Sequence, residues 1–166
     1  MTGVQTCALP ICGEFIGINK ESVTLDDFSR RLKSVKWLES CSPDHLFLTM
    51  IEGLHAIHLS GFIHNDMKPN NVMVDVRGLH YNAVVIDFRK ACPLHKGIFY
   101  KLPNKMEKQK HLKRYPHMEP ELIAGDSPQN VLTDIYSLGY TIKKVLTEKF
   151  GDSVHHLKDI SLSCMS

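Results

Sequence analysis

Apolar residues recur along the chain at two spacings, and these predict where helices and strands lie. The clearest helical pattern covers residues 43–60 and stops at Gly61, with four apolar residues on one face: Leu46, Met50, Leu54 and Ile57. Similar patterns predict a helix over residues 26–38 and another that begins at residue 133 or 134 and continues to about residue 150. Helices therefore account for most of the predicted regular structure.

Shorter apolar runs predict strands. One strand is expected over residues 12–18, and two more over residues 72–74 and 83–86, joined by a turn near residues 77–78. Residues 88–120 have little period and contain four prolines, so they are predicted to form a long loop. The pattern as a whole predicts an α+β fold that is mainly α.

Composition narrows the class of protein. The chain has 166 residues, 43% hydrophobic and 23% charged, which is typical of a soluble globular domain. A net charge of +2 gives no bulk attraction to nucleic acid or membrane, and no apolar run is long enough for a membrane span. Five scattered cysteines without metal-ligand spacing favour a reducing compartment, and we expect a cytoplasmic domain.

Candidate chemistry is concentrated between residues 64 and 87. The run from His64 to Asn71 contains Asp66, then Lys68 two residues later and Asn71 three residues after that. Asp87 follows at the end of the apolar run Val84-Val85-Ile86. Each residue alone is more often a cap, a turn residue or a surface charge. Together they supply a base, a cation and hard oxygen ligands, the set that phosphoryl transfer needs.

The motifs occur in the order H-x-D-x-K-x-x-N, D-F, x-P-E and D-x-Y-S-x-G. This order resembles the larger, C-terminal lobe of a protein kinase over roughly residues 12–166. The resemblance implies a bilobal kinase fold truncated at both ends, from the hinge to the start of a late helix. Its activation segment would be residues 87–121.

The resemblance implies specific roles for the motif residues. Asp66 corresponds to the catalytic base that orients a substrate hydroxyl, and Lys68 to a cation that neutralises the transferring phosphoryl group. Asn71 and Asp87 correspond to Mg²⁺ ligands, and Asp87 also to a group facing the phosphates of ATP. Met73 lies where the family places an apolar side chain beneath the adenine.

Three further groups are placed by the same resemblance. Residues Glu14, Phe15 and Ile16 fall where the hinge would offer main-chain groups to the adenine edge. His64 and Phe88 correspond to two members of the apolar column that tracks the active state. Asp134 corresponds to the acid that binds the main chain of the catalytic loop. The sequence contains no G-x-G-x-x-G motif to cover the phosphates of ATP.

Several positions depart from the family pattern. Asn65 replaces the usual Arg before the catalytic Asp, which argues against switching by a phosphorylated activation loop. Arg89 replaces the Gly of D-F-G, and its Cβ is expected to restrict the movement of Asp87. Glu119 replaces the usual Ala of the x-P-E motif. We also expect Glu121 to be buried or half-buried without its usual arginine partner, at a cost in stability.

Residues 89–114 form a strongly basic segment. It contains nine Lys or Arg residues, opposed only by Glu107. A solvated basic loop explains this composition, and a docking surface for an acidic partner is the alternative. Two histidines on the predicted helix 43–60, His55 and His58, lack a third metal ligand, so we interpret them as packed or surface side chains.

The expected activity is transfer of the γ-phosphoryl group of Mg·ATP to a hydroxyl of a protein substrate. Lys68 resembles the serine/threonine kinases and favours serine/threonine-like chemistry, whereas His117-Met118 resembles the tyrosine-kinase pattern, which is the alternative. We expect the 166-residue chain itself to be inactive, because half of the nucleotide clamp is missing from it. One alternative is a pseudokinase scaffold, suggested by Asn65 and Arg89. The other is a small-molecule phosphotransferase of the aminoglycoside or choline type, which shares H-x-D-x-x-x-x-N.

Residues 1–11 have neither helical nor strand period and no signal-peptide pattern. All eleven resemble the conceptual translation of a sequencing-library adapter, so we expect them to be a disordered artefact preceding a partial kinase domain over residues 12–166. An ordinary disordered leader is the alternative.

Overall fold

The computed structural model describes residues 22–31, 43–77, 80–149 and 163. Its helices are α1 (Leu25–Arg31), α2 (Pro43–Leu59), α3 (Lys105–Arg114), α4 (Pro120–Ala124) and α5 (Val131–Lys149). Its strands are short: β1 (Val23–Thr24), β2 (Phe62–Ile63), β3 (Val72–Arg77), β4 (His80–Val85) and β5 (Cys92–Pro93). The described part of the chain is therefore mixed α and β and mostly helical, as predicted.

Two small antiparallel sheets frame the region of the motif. In the first, β3 pairs with β1 on one side and β4 on the other, with Val72 opposite Val85. In the second, β2 pairs with β5 and Ile63 lies opposite Cys92. This second sheet ties the chain just before His64 to the chain just after the D-F motif, although the two are about thirty residues apart in sequence.

The core forms around the predicted apolar face of α2. The four residues of that face are all buried: Leu46, Met50, Leu54 and Ile57. They pack with side chains of the β3–β4 hairpin and of α5, including Val74, Val85 and Ile142. Burying apolar area of this kind is the main contribution to folding free energy. Gly61 ends the helix at φ 82°, a left-handed conformation that glycine adopts without strain.

Most predicted elements within the described residues form. Helix α5 begins two residues before Thr133 and ends close to the predicted boundary. Both hairpin strands are longer than predicted, because pairing between them continues to Arg77 and His80. Helix α1 begins near the predicted start, and its predicted continuation over residues 32–38 lies outside the described residues, as do the predicted strand 12–18 and residues 1–11.

The prediction of an irregular loop over residues 88–120 is wrong in part, because α3 occupies residues 105–114. The side chain of Asn104 caps this helix by accepting a hydrogen bond from the Glu107 main-chain nitrogen at 3.0 Å. Acidic Glu107 in the first turn and basic residues in the last turn suit the helix dipole. Helix α3 has no buried residue, so it lacks the apolar stripe by which helices are usually predicted.

No helix within the described ranges is both long enough and apolar enough to cross a membrane.

Candidate active site

The segment from His64 to Asn71, called the catalytic loop below, is held from beneath by Asp134 of α5. The carboxylate of Asp134 accepts hydrogen bonds from the main-chain nitrogens of His64 at 2.6 Å and Asn65 at 2.8 Å. The His58 ring nitrogen Nε2 lies 3.0 Å from the same carboxylate. Because Asp134 is only 1% exposed, these bonds form away from competing water. They confirm the predicted contact between Asp134 and the main chain of the loop.

Asn65 adopts a left-handed backbone conformation, with φ 63°. Asparagine tolerates this region better than most residues with a Cβ. Its side-chain nitrogen donates to the Lys90 main-chain oxygen at 3.1 Å and to the Cys92 sulfur at 3.3 Å. The residue that replaces the family's arginine therefore links the catalytic loop to the segment that follows Asp87.

The carboxylate of Asp66 is surrounded by donors. Lys68 Nζ lies 2.8 Å from its Oδ2, Lys90 Nζ lies 2.8 Å from its Oδ1, and Asn71 Nδ2 lies 2.9 Å from its Oδ2. Burial raises the pKa of Asp66, but the hydrogen bonds and charges of Lys68 and Lys90 outweigh burial, and the pKa lies below its ordinary value. Asp66 is therefore ionised at neutral pH.

Asn71 connects the loop to the strand that leads to Asp87. Its amide nitrogen donates to the Asp66 main-chain oxygen at 2.8 Å as well as to the Asp66 carboxylate. Its main-chain oxygen accepts a hydrogen bond from the Ile86 nitrogen at 2.9 Å. The main chain thus brings Asn71 close to the residue that precedes Asp87.

Asp87 is held by Arg89. Arg89 donates from Nε to Asp87 Oδ1 and from Nη2 to Oδ2, both at 2.6 Å, a bidentate pair. These hydrogen bonds lower the pKa of Asp87 to about 2. Arg89 itself is exposed, and it lies in a short 3₁₀ turn, Phe88–Lys90.

Arg89 also acts on Asp87 through its side chain. The positive φ of this turn, 68°, belongs to Asp87 and not to residue 89. The guanidinium of Arg89 engages both carboxylate oxygens of Asp87, and the restriction that its Cβ is expected to place on the movement of Asp87 stays a prediction.

Of the remaining predicted site residues, some lie within the described part of the chain and others do not. His64 meets Phe88 edge to face, with ring centroids 5.2 Å apart, as expected for neighbours in one column. Met73 lies in β3, partly buried, between Thr24 of β1 and Val84 of β4. The predicted hinge residues Glu14, Phe15 and Ile16 lie outside the described residues.

A family model described as protein kinase domain matches residues 13–160. The chain belongs to the protein kinase family. This kinase domain therefore carries the D-F motif, the catalytic loop and the x-P-E motif in the family's order.

Curated relatives are kinases from distant organisms. The serine/threonine-protein kinase PknD of Protochlamydia amoebophila is 27% identical over 115 residues, covering 63% of this chain and 11% of that protein. A sporulation-specific mitogen-activated protein kinase of Saccharomyces cerevisiae is 26% identical over 142 residues, covering 81% of this chain and 35% of that protein. MAP kinase kinase mkk-4 of Caenorhabditis elegans is 34% identical over 88 residues, covering 53% and 21%. The kinase domain spans about a tenth to a third of the full length of these relatives.

Two residues of this kinase domain were missed as parts of the site: Lys90, which contacts Asp66, and the Arg89 side chain, which contacts Asp87. Both directly follow the D-F motif, so adjacency was the available signal. The described residues include no group of three or more His, Cys, Asp or Glu side chains arranged to hold a metal.

The x-P-E motif also differs from expectation. Glu121 is exposed, so the predicted cost of a buried carboxylate without a partner does not arise for it. The first glutamate of the motif, Glu119, is the constrained one: its Oε2 is buried and has no hydrogen-bond partner among the described residues. Burial, with a smaller contribution from Glu121, raises the pKa of Glu119.

Proposed function

We propose that this domain transfers the γ-phosphoryl group of ATP to a hydroxyl of a protein substrate, and that residues 12–166 form the C-terminal lobe of its bilobal fold. The observation that carries the proposal is the position of Asp66. Its ionised carboxylate lies 2.8 Å from Lys68 Nζ, in a loop whose main chain is fixed by the buried Asp134. A fixed base beside a fixed cation is the arrangement that phosphoryl transfer requires.

Asp66 is the proposed base. An ionised carboxylate can accept a hydrogen bond from a substrate hydroxyl, orient its oxygen toward the phosphorus and take the proton as the bond forms. Lys68 is placed to stabilise negative charge on the transferring group, because its ammonium lies against the same carboxylate and is still one-third exposed. Asn71 holds Asp66 in one orientation through two hydrogen bonds.

The oxygens of Asn71 and Asp87 fit a hard cation such as Mg²⁺. Asn71 uses its amide nitrogen toward Asp66, which leaves its side-chain oxygen to face a metal. Asp87 supplies a carboxylate, but both of its oxygens must first leave Arg89. When bound, Mg²⁺ would neutralise the phosphates of ATP, with Met73 and the hinge residues Glu14, Phe15 and Ile16 proposed to contact the adenine.

We propose serine or threonine as the accepting residue. Lys68 two positions after the base motivates this choice, and curated relatives such as PknD are named as serine/threonine-protein kinases. A reducing, cytoplasmic setting is proposed with it, since Cys92 is a free thiol with partial exposure.

The test is phosphorylation of peptide libraries by the full-length gene product in Mg·ATP. Replacing Asp66 with Asn preserves shape and removes the base, so the rate is expected to fall by a factor of about 10² to 10⁴. Asp126→Asn is the matched control, because the Asp126 side chain is exposed and the residue lies outside both the catalytic loop and the D-F motif. Equal activity of Asp66→Asn and the parent protein would refute the proposed role of Asp66.

A second candidate function is a pseudokinase, a kinase domain that serves as a binding module. The Asp87–Arg89 pair favours it, because the guanidinium satisfies both oxygens that a metal would use. A tethered cation of this kind competes with Mg²⁺ at every metal concentration, since it never diffuses away.

Replacing Arg89 with Gly separates the two functions. If the pair keeps metal out, Mg²⁺-dependent nucleotide binding by the full-length protein should tighten by about tenfold in Arg89→Gly, measured by calorimetry. Lys96→Gln is a matched control that removes an exposed cation of the same segment. Full phosphorylation activity of the parent protein, unchanged by Arg89→Gly, would exclude the pseudokinase.

A further inference from the structure

A cavity of about 670 Å³ lies beside the proposed active site, on the side of Lys68 that faces α1 and α5. Its charged lining is dominated by five cations: Arg30, Lys68, Lys113, Arg114 and Lys144. One carboxylate, Asp26, opposes them. The volume is within the range of sites that take up small ligands or side chains. This space is called the basic cavity below.

The positive charge of the basic cavity is not balanced by its own carboxylate. Asp26 forms an ion pair with Arg30, and its other oxygen lies 3.8 Å from Lys144 Nζ. Among the residues that the structure describes, Lys113 and Arg114 have no carboxylate partner. Two full positive charges therefore face the cavity without compensation, and like charges held close together favour an anion between them.

Four of the five cations are carried by three helices, so their positions do not depend on one flexible loop. Arg30 lies on α1 and Lys144 on α5, while Lys113 and Arg114 lie in the last turn of α3. Helix α3 is capped by Asn104 and tied to α4 by a hydrogen bond from Lys108 to the Ala124 main-chain oxygen. The Arg114 guanidinium lies 5.3 Å from the centroid of the Tyr115 ring, which orients it further.

Neutral polar groups complete the lining. His117 and Tyr140 both face the cavity, with ring centroids 6.3 Å apart. Burial lowers the pKa of His117, so its ring is neutral at pH 7 and can donate or accept a hydrogen bond without adding charge. The basic cavity thus offers several fixed cations and neutral hydrogen-bonding groups, the usual composition of a site for carboxylate or phosphate.

The cavity shares Lys68 with the proposed active site. Lys68 lines the cavity, and its Nζ lies 2.8 Å from the carboxylate of Asp66. A peptide whose hydroxyl reaches Asp66 must therefore place neighbouring residues over the cavity. We propose that the basic cavity binds an acidic side chain, a carboxylate or a phosphorylated residue, that lies within a few residues of the accepting hydroxyl. This inference rests on the proposed function and names its substrate class.

An acidic peptide is favoured over nucleic acid as the occupant because the positive charge is local. The whole chain carries only +2, so its bulk charge gives little attraction to a phosphate backbone. Positive charge is concentrated instead around one recess of about 670 Å³. A charged side chain that enters it is surrounded by cations and loses more water than it would on an open surface.

The test is binding of short fluorescent peptides to the full-length protein without ATP, measured by anisotropy. Four peptides share a central serine and carry flanking aspartates, flanking phosphoserine, flanking alanines or flanking lysines. The aspartate and phosphoserine peptides are expected to bind at least about tenfold more tightly than the alanine peptide, and the lysine peptide most weakly. The ratio of the first two distinguishes a carboxylate from a phosphate as the preferred anion.

Variants locate the effect at the cavity. Lys113→Gln combined with Lys144→Gln should abolish most of the preference for acidic peptides, while Lys101→Gln, an exposed cation outside the cavity, should leave it unchanged. Exposed Lys113→Gln alone, expected to lower the preference by about two- to fivefold, keeps the test valid if the double variant fails to fold. Lys144→Glu should shift the preference toward the lysine peptide.

The outcomes separate this inference from the proposed function. Acidic preference that depends on Lys113 and Lys144 supports the inference even if no phosphorylation is detected, in which case the proposed function fails alone. Phosphorylation that is indifferent to flanking charge overturns the inference and leaves the function intact. Equal binding of all four peptides, or acidic preference that survives in the double variant, also overturns it. So does binding of a single-stranded oligonucleotide that outcompetes every acidic peptide.

Discussion

The catalytic loop and the segment that follows Asp87 both position a carboxylate, but they do so by opposite means. In the catalytic loop most residues are buried, and the buried Asp134 fixes the main chain through two short hydrogen bonds. Residues 86–121 contain no buried residue, and the two short contacts of the Asp87 carboxylate come from the exposed side chain of Arg89. One carboxylate site is built into the core, and the other is formed on the surface.

The difference matters because buried and exposed charge pairs respond differently to change. A buried carboxylate that satisfies main-chain donors is expensive to lose, since those donors cannot turn to water. An exposed pair can exchange its partner for water or for another cation at little cost. The geometry around Asp66 should therefore persist, whereas the Asp87–Arg89 contact should be the adjustable part of the site.

The largest expected effect is at Asp134. Asp134→Asn keeps the shape but places an amide nitrogen against main-chain donors and removes the charge that His64 and Asn65 donate to. We expect the free energy of unfolding to fall by about 3 kcal/mol. Urea denaturation followed by circular dichroism measures it.

Asp126→Asn, an exposed acid in the turn after α4, is the matched control and should stay within about 0.5 kcal/mol of the parent. If Asp134→Asn lowered the free energy of unfolding no more than Asp126→Asn does, the distinction between the buried site around Asp66 and the exposed site around Asp87 would not hold.

The next prediction tests where residues 86–121, called the surface segment below, are anchored to the rest of the domain. A Cβ added at Gly97 would overlap the main-chain oxygen of Gln129, beside the bridge between Phe99 and Pro128. Gly97→Ala should therefore lower the free energy of unfolding by about 1–3 kcal/mol, because main chain must move. Thermal denaturation detects such a change.

Gly53→Ala is expected to change the free energy of unfolding in the opposite direction. Gly53 lies within α2, and a Cβ there would make an ordinary contact with Val85. Alanine in a helix interior should stabilise the domain by up to about 1 kcal/mol. If Gly97→Ala were equally well tolerated, the surface segment would lack the fixed point that the structure gives it.

The smallest effect concerns the link between the two regions, Lys90 to Asp66. Lys90→Gln removes one of the two cations that contact the carboxylate. Burial, which raises the pKa of Asp66, is then opposed by Lys68 alone, so the pKa should rise toward its ordinary value. Carbon-13 NMR of the aspartate carboxyl group measures the shift. Lys96→Gln, which does not contact Asp66, is the control.

The same change has a defined pH dependence. Because the pKa of Asp66 is lowered in the folded protein, its ionic contacts stabilise the fold above the unfolded pKa and are lost as the pH falls through the folded pKa. Lys90→Gln should move that loss to higher pH and slightly lower the stability at neutral pH, since part of the stabilisation from the lowered pKa is removed and Lys90 is an exposed partner. A pKa unaffected by the substitution would mean that Lys90 does not act on Asp66.

Much of the fold could be predicted from local patterns. The face of Leu46, Met50, Leu54 and Ile57 repeats with helical period, so it specified α2 and one side of the core. Glycine at position 61 marked the end of that helix because its backbone takes a positive φ. Helix α3 could not be predicted from an apolar face, because none of its residues is buried. Its cap, Asn104 with Glu107 three residues on, was the available signal.

For the site, the sequence by itself identified the residues that are proposed to carry the chemistry, since Asp66, Lys68, Asn71 and Asp87 stand close together in the chain and in the family's order. Tertiary structure alone decided their partners. The contacts of Lys90 with Asp66 and of Asp134 with the catalytic loop span 24 and 70 residues of sequence. Local propensity carries no information about such distances, because they are fixed by how helices and sheets pack around one core.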